Sequence, residues 1–461
     1  MAMKTHGKYA RTLKASLALA LAFVLHQSGF AQSPGVPALP STNADYVDYA
    51  VDSLPSYFQP GTDVGVTNNT PADNPITNAG ATVGRALFYD QRLSHNDSTS
   101  CASCHVQRNG FSDPEQFSEG FEGGLTGRHS MGLSNAMFYE RGRFFWDERA
   151  ATLEEQVLGP IQDSVEMGTT LSQLRTELAD TEFYPVLFNE AFGSTEITDE
   201  GIANALAQFV RSMASYQSKY DQARDAGPVG SPAYNRELTS QEQLGSNLFH
   251  AAGSCSACHE SDAQIADRTR NIGLDLDNSA DEGAGDGQFK VPSLRNIAVR
   301  EGYMHDGRFE TLEEVIDFYS TGIQDNPDLA LGLREGGLPT GDPIQFNFTE
   351  NEKAALIAFL ETLTDDTFLT SELFSDPFVE LAGDFDGSGL VDSADVDFWN
   401  SNWQSAGLSG SDFLAWQRNL GRSWEDLAIG ASISSVPEPA TATLAIGALL
   451  LALTRRRRGH T

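Results

Sequence analysis

The sequence predicts a mainly α-helical protein built of two related domains in tandem, followed by a small helical module. Three observations predict it. An internal repeat keeps its spacing across two stretches of the chain. Apolar residues recur at helical intervals where each repeat ends. Threonine–glutamate pairs three residues apart mark helix starts, because the hydroxyl oxygen and the carboxylate satisfy opposite unpaired amides.

The N-terminus reads as a secretory signal over 1–31. Lys4, Lys8, Arg11 and Lys14 precede an apolar run at 17–25, and Gly29-Phe30-Ala31 supplies a small-residue cleavage site. The apolar run is short for a membrane span. The expected protein is therefore exported, to the periplasm or the cell surface.

The first domain is expected over 45–225 and the second over 226–372. Gly84-Arg85-Ala86-Leu87-Phe88 opens one and Gly245-Ser246-Asn247-Leu248-Phe249 the other. Trp146-Asp147-Glu148-Arg149 runs into Thr152-Leu153-Glu154-Glu155, and His305-Asp306-Gly307-Arg308 runs into Thr311-Leu312-Glu313-Glu314 at the same spacing. Thr239 and Glu242 start a further helix. Ile202, Leu206, Phe209, Val210 and Met213 share one helix face, as do Leu356, Phe359, Leu360 and Leu363. Glycines and prolines at 226–238 read as a linker between the domains.

All four cysteines fall in two motifs, Cys101-Ala102-Ser103-Cys104-His105 and Cys255-Ser256-Ala257-Cys258-His259. A c-type haem needs two thiols for thioether links and an imidazole for its iron, and CxxCH places all three on one turn of chain. A redox disulfide pair or a zinc site uses the same residue types, but neither requires a histidine directly after each pair. The chain is thus expected to carry two covalently bound haem c groups in two cytochrome c-like domains, with His105 and His259 as proximal ligands.

Around these motifs, residues 84–168 (GRALFYDQRLS, CASCH, GFSD, RFFWDERAATLEEQVLGPI, VEMG) and 255–319 (CSACH, FKVPSLRNIAVREGYMHDGRFETLEEVIDFY) resemble the dihaem cytochrome c peroxidase and MauG-like family. The resemblance covers roughly 45–370. It implies a peroxidase that reduces hydrogen peroxide to water at the first haem, with electrons from a small cytochrome or another redox protein. It implies Glu166 as general acid/base with Gln156 and Pro160 on the open face, and Trp146 between the haems.

At the second haem, peroxidases proper place a methionine fourteen residues beyond the histidine of His-Asp-Gly, and MauG-like members a tyrosine. Counting from His305 reaches Tyr319, and the same count from Trp146 reaches Pro160. Tyr319 is the expected ligand, with Met304 the alternative. A tyrosinate favours higher iron oxidation states than a thioether does. His129 reads either as a removable ligand of the first haem or as a hydrogen-bonded histidine. The resemblance further implies a calcium ion between the domains, held by the Asn135 side chain and the backbone carbonyls of Arg300 and Gly302.

Beyond 372 the composition changes. Asp384, Asp386, Ser388, Leu390, Asp392 and Asp395 follow the calcium-loop ligand pattern, and Asp395-Val396-Asp397-Phe398-Trp399 is echoed by Asp412-Phe413-Leu414-Ala415-Trp416. Residues 380–426 resemble a dockerin-type repeat holding one calcium. Val436-Pro437-Glu438-Pro439, the apolar stretch 442–453 and the arginines 455–458 resemble a PEP-CTERM sorting signal over 436–458. A tail of this form attaches the chain to the membrane, at least until it is processed.

With 64 acidic against 30 basic residues, a formal charge of −34, the chain lacks the basic footprint of nucleic-acid binding. Two rivals to the peroxidase stand open. One is a MauG-like enzyme that uses peroxide to oxidise residues of a partner protein, and the other is a non-catalytic electron-transfer cytochrome.

Overall fold

The computed structural model describes residues 35, 37, 39, 48–49, 54–59, 61–62, 67–378, 383–385, 390–402 and 410–421. The expected signal at 1–31, the tail at 436–458, and Asp386 and Ser388 lie outside these.

The described chain is mainly helical: α1 (Asn78–Tyr89), α2 (Cys101–Cys104), α3 (Leu153–Gln162), α4 (Leu171–Ala179), α5 (Tyr184–Phe192), α6 (Asp199–Ser212), α7 (Lys219–Ala226), α8 (Pro232–Arg236), α9 (Ser240–Phe249), α10 (Leu312–Asp317), α11 (Glu350–Glu361), α12 (Asp366–Thr370), α13 (Ser393–Asn402) and α14 (Gly410–Asn419). One antiparallel pair, β1 (Ala266–Arg270) and β2 (Phe289–Val291), sets Ala266 opposite Val291 and Arg270 opposite Phe289.

Two helix pairs make the frame. α1 packs on α6, and α9 on α11. The sequence allows this through one small residue in each pair. A Cβ on Gly84 would lie 2.0 Å from the Ala205 carbonyl oxygen, and one on Gly245 would lie 1.9 Å from that of Ala355. Only glycine lets the backbones meet so closely. The apolar faces read from the sequence fill the space around them, with Ile202, Leu206, Phe209 and Met213 in one core and Leu356, Phe359, Leu360 and Leu363 in the other. Burial of these side chains, worth roughly 1.5–3 kcal/mol each, drives the packing.

The motifs fold alike as well. Short bridges join Phe144 to Ala150 and Tyr303 to Phe309. Just after them, the Thr152 hydroxyl accepts the Glu155 amide and the Thr311 hydroxyl accepts the Glu314 amide. The reciprocal bonds differ slightly. The Glu155 carboxylate reaches Ala151 N–H, and Glu314 takes the N–H groups of both Glu310 and Thr311.

Two expectations change. The stretch 226–238 is not an open linker, because it contains α8, whose Tyr234 is fully buried against Tyr220. Gly227 ends α7 and Pro232 starts α8. The chain beyond α11 also leaves the second core. Phe368 lies 5.5 Å from Phe111 and Phe374 lies 6.3 Å from Phe209, ring centre to ring centre, so α12 and the turn after it pack on the first core.

Near the C-terminus, α13 and α14 meet through Trp399, Phe413 and Trp416, and Trp416 Nε1–H donates to the Asp392 carbonyl at 2.6 Å. Val391 is fully buried. Among the described residues no helix is long and apolar enough to cross a membrane.

Candidate active site

The first CxxCH turn is α2. Ser100 precedes it, and its N–H is taken by Ser103 Oγ at 3.0 Å. His105 follows, its Nδ1 2.8 Å from the Phe111 carbonyl. That bond makes Nδ1 the donor and leaves Nε2 as the lone-pair nitrogen, which is how a metal-binding imidazole is oriented. Burial pushes the His105 pKa down, so the ring is neutral and free to ligate.

A cavity of about 500 Å³ opens against this turn. Cys101, Cys104 and His105 line one side, and Gln156, Pro160 and Glu166 line another. Trp146, His129 and Lys290 also reach it. The residues fit a haem c: paired free thiols, a held imidazole and a space of haem size. Gln156 and Pro160 come from α3, where Pro160 offers no N–H and no ligand atom.

Glu166 sits on the turn after α3, with its amide bonded to Asp163 Oδ1 at 3.1 Å and its carbonyl accepting from Phe121 N–H at 3.0 Å. Its pKa is raised, chiefly by burial and also by the Asp163 carboxylate, while Arg149 opposes the shift. A carboxyl whose proton is held more tightly than usual is suited to taking and returning one.

Trp146 is half-buried. Its Nε1–H donates to the His129 carbonyl at 2.8 Å, and the His129 N–H donates to the His305 carbonyl at 2.9 Å. The His129 ring is itself buried, with Nε2 3.1 Å from Ser112 Oγ and Nδ1 3.1 Å from the Gln116 carbonyl. Of the two readings of His129, the hydrogen-bonded one describes this arrangement. The His305 ring stacks on Phe289, 3.6 Å between centres and 10° from parallel.

At the second motif, Cys255, Cys258 and His259 form a short turn, and His259 Nδ1 is buried without a hydrogen-bond partner. Burial pushes its pKa down to about 4, so this imidazole too is neutral. Tyr319 lies on a π-helical turn, Phe318–Gly322, continuing α10. Such a turn widens the helix by one residue and is common at functional positions. Burial, reinforced by the nearby Cys258 and Cys255 sulfurs, pushes the phenol pKa up. Met304 packs in the same apolar cluster as Tyr319 and holds a left-handed backbone, φ 69°. Tyr319 thus lies close to the second motif, and Met304 close to Tyr319.

The three residues expected to hold calcium between the halves have near neighbours of their own. Asn135 Oδ1 accepts the Ser215 amide at 2.9 Å, the Arg300 carbonyl accepts Tyr303 O–H at 2.9 Å, and a Cβ on Gly302 would lie 2.5 Å from His129 Cε1. In the C-terminal loop Asp384 and Asp395 are buried, and Asp395 accepts the amides of Phe385 and Asp392 at 2.6 and 2.7 Å. Leu390 is exposed.

Sequence reasoning passed over Lys290. It is buried on β2, donates to the Arg143 carbonyl at 2.7 Å, and lies 3.7 Å above the Tyr139 ring at the cavity wall. Its place inside the FKVPSLRN stretch was the available signal.

The chain matches the family model described as "Di-haem cytochrome c peroxidase" over residues 78–226 and 239–328, more than half its length. It is 33% identical over 304 residues to the methylamine utilization protein MauG of Methylorubrum extorquens, covering 64% of this chain and 80% of that protein. It is 31% identical over 303 residues to the cytochrome c551 peroxidase of Nitrosomonas europaea, covering 62% and 80%. The crystal structure of a MauG-like protein associated with microbial copper homeostasis superposes with a TM-score of 0.59 at 32% identity, covering 71% of this chain and 99% of that one. With its paired CxxCH motifs and a haem-sized cavity beside the first, the chain belongs to the di-haem cytochrome c peroxidase family.

Proposed function

We propose that this chain is a haem-dependent peroxidase that reduces hydrogen peroxide to water with electrons from an external donor. The observation that carries the reading is the single cavity that sets Cys101, Cys104 and His105 against Gln156 and Glu166. A pure electron carrier has no use for a proton-transfer group there.

The residues divide as follows. Cys101 and Cys104 would hold one haem c and Cys255 and Cys258 the other, with His105 and His259 as the imidazoles that would ligate the irons. Haem iron, when bound, supplies the electrons that break the peroxide O–O bond. Glu166 takes the proton from one peroxide oxygen and returns it to the other, and Gln156 orients the substrate. The open face is kept by Pro160, which has nothing to ligate with. Trp146 carries electrons between the two tandem cytochrome c-like domains, 45–225 and 226–372, through its bond to His129. Tyr319 closes the second site, with Met304 as the alternative.

A second reading has its own support. Tyr319 stands where a methionine serves the peroxidases proper, and several relatives are named MauG. On that reading peroxide drives oxidation of a partner protein.

The C-terminal part of the proposal is a dockerin-like module, 380–426, with one calcium at Asp384, Asp386, Ser388, Leu390, Asp392 and Asp395. It is supported by the buried carboxylates of Asp384 and Asp395 and by the oxygen-only donor set. A PEP-CTERM tail would place the exported protein at the membrane or cell surface.

Electron paramagnetic resonance of the haem-loaded protein is the test. One high-spin and one low-spin ferric signal, with peroxide turnover, is expected. Two low-spin signals and no reaction with peroxide would leave an electron carrier. Peroxide consumption that requires a partner protein, with small donors inert, would select the MauG-like reading.

A further inference from the structure

Arg300 is a buried cation that has no counter-ion among the described residues. It is 8% exposed, and its Nη2 donates to the main-chain carbonyls of Ser293 at 3.2 Å and Arg295 at 2.9 Å. Its Nε is buried and unpaired. The ionisable groups nearest in effect are the phenols of Tyr139 and Tyr303 rather than a carboxylate, and a neutral phenol supplies no counter-charge. Guanidinium does not deprotonate in proteins, so the charge persists despite its burial. A fixed cation held by backbone carbonyls is chemically a filled cation site.

The space for it comes from the other half of the molecule. A Cβ on Gly132 would lie 2.6 Å from Arg300 Nη2 and 2.9 Å from Nε, and one on Gly110 would lie 3.8 Å from Nε. Gly132 has no left-handed backbone to account for it. Its missing side chain is the slot through which the guanidinium passes. Asn296 closes the same slot, since a Cβ on Gly110 would lie 3.1 Å from its Cβ. Its Nδ2 donates to Ser134 Oγ and Ser215 Oγ at 3.3 and 3.2 Å.

The calcium ion that the family resemblance implies here does not fit this setting. A calcium ion takes six to eight oxygens, usually including carboxylates. Asn135 Oδ1 and the Arg300 carbonyl already accept hydrogen bonds, and a Cβ on Gly302 would lie 2.5 Å from His129 Cε1. A second cation beside Arg300 would be repelled.

We infer that the Arg300 guanidinium, seated in the slot left by Gly132, is itself the resident cation between the two halves and takes the place of the calcium ion. The contact between the halves then needs no divalent metal.

The test uses the full haem-loaded chain carrying Asp384→Asn and Asp392→Asn, which disables the C-terminal loop. Dialysed against micromolar calcium, it should hold no calcium by atomic emission. A chelator should change neither its melting temperature nor the resonance spectrum of its haems. One calcium retained per chain, or a chelator-induced shift in either signal, would overturn the inference. In the same background Arg300→Met, which keeps bulk and loses charge, should melt lower than Arg300→Lys by about 3 °C or more. Equal melting of the two would also overturn it. The metal analysis decides the question even if Arg300→Met fails to fold.

Discussion

The Trp146 indole donates its N–H to the carbonyl of His129, 2.8 Å away, and the next amide bond along, His129 N–H to the His305 carbonyl, spans 2.9 Å. Two bonds thus connect the conserved-spacing motifs Trp146-Asp147 and His305-Asp306, which are 159 residues apart in the chain. Arg128, one residue before His129, clamps the same place with a bidentate pair to Asp281 and a bond to Asp147.

Replacing Trp146 by Phe keeps an aromatic ring but leaves the His129 carbonyl without its donor. An unpaired buried acceptor costs about 1–3 kcal/mol, so the variant should melt at lower temperature. If Trp146 carries electrons between the halves, steady-state turnover should fall while the first reaction with peroxide keeps its rate. Stopped-flow mixing separates the two, and equal slowing of both would remove the relay role.

Glu166 should set the acid limb of the peroxide reaction. It must be deprotonated to accept the peroxide proton, so the rate falls as pH drops through its pKa. Burial and Asp163 raise that pKa, and Arg149 lowers it. Asp163→Asn should therefore move the limb to lower pH, and Arg149→Gln to higher pH. Glu166→Gln should slow peroxide cleavage about 10²–10⁴-fold with both haems still attached. A pH–rate profile of the pre-steady-state step reads all three variants.

What was legible in the sequence was local. CxxCH is covalent chemistry on five consecutive residues, and the threonine caps at 152 and 311 act within four, so both appear in the string of letters. Tertiary placement was not. Tyr234 inside a Gly/Pro-rich stretch is buried because Tyr220 and Ser246 meet it. Lys290 is buried because the Arg143 carbonyl, 147 residues away, receives it with Glu148 nearby, and Arg300 because the carbonyls of Ser293 and Arg295 in its own loop fold back onto it. No periodicity announces a cation paired with backbone. The return of α12 to the first core depends likewise on Phe111 and Phe209, far upstream.

Tyr319 is a buried phenol whose pKa is pushed up by burial and by the neighbouring Cys258 and Cys255. In the polypeptide alone it keeps its proton at neutral pH, so only a bound metal would displace it. Tyr319→Met should raise the potential of the second haem, because a thioether favours the reduced metal more than a phenolate does. Spectroelectrochemical titration measures the shift. An unchanged potential would transfer the ligand role to Met304.

The two helix crossings make the plainest stability prediction. At Gly245 an added methyl group would sit 1.9 Å from the Ala355 carbonyl oxygen and 2.8 Å from Phe359 Cβ. At Gly84 the matching distances are 2.0 Å from Ala205 and 2.7 Å from Phe209 Cβ. The obstacle is backbone at both places, and backbone cannot rotate aside as a side chain can. Helix propensity would favour alanine by up to about 1 kcal/mol, far less than separating α9 from α11 or α1 from α6. Each Gly→Ala variant should lose at least about 2 kcal/mol, judged by the usual cost of overpacking. Because the cores are distinct, Gly84→Ala should loosen the first haem's surroundings and Gly245→Ala the second's. Thermal melts followed separately at the two haem signals would show it, and an unshifted melt in either variant would mean that the helices there stand farther apart than this.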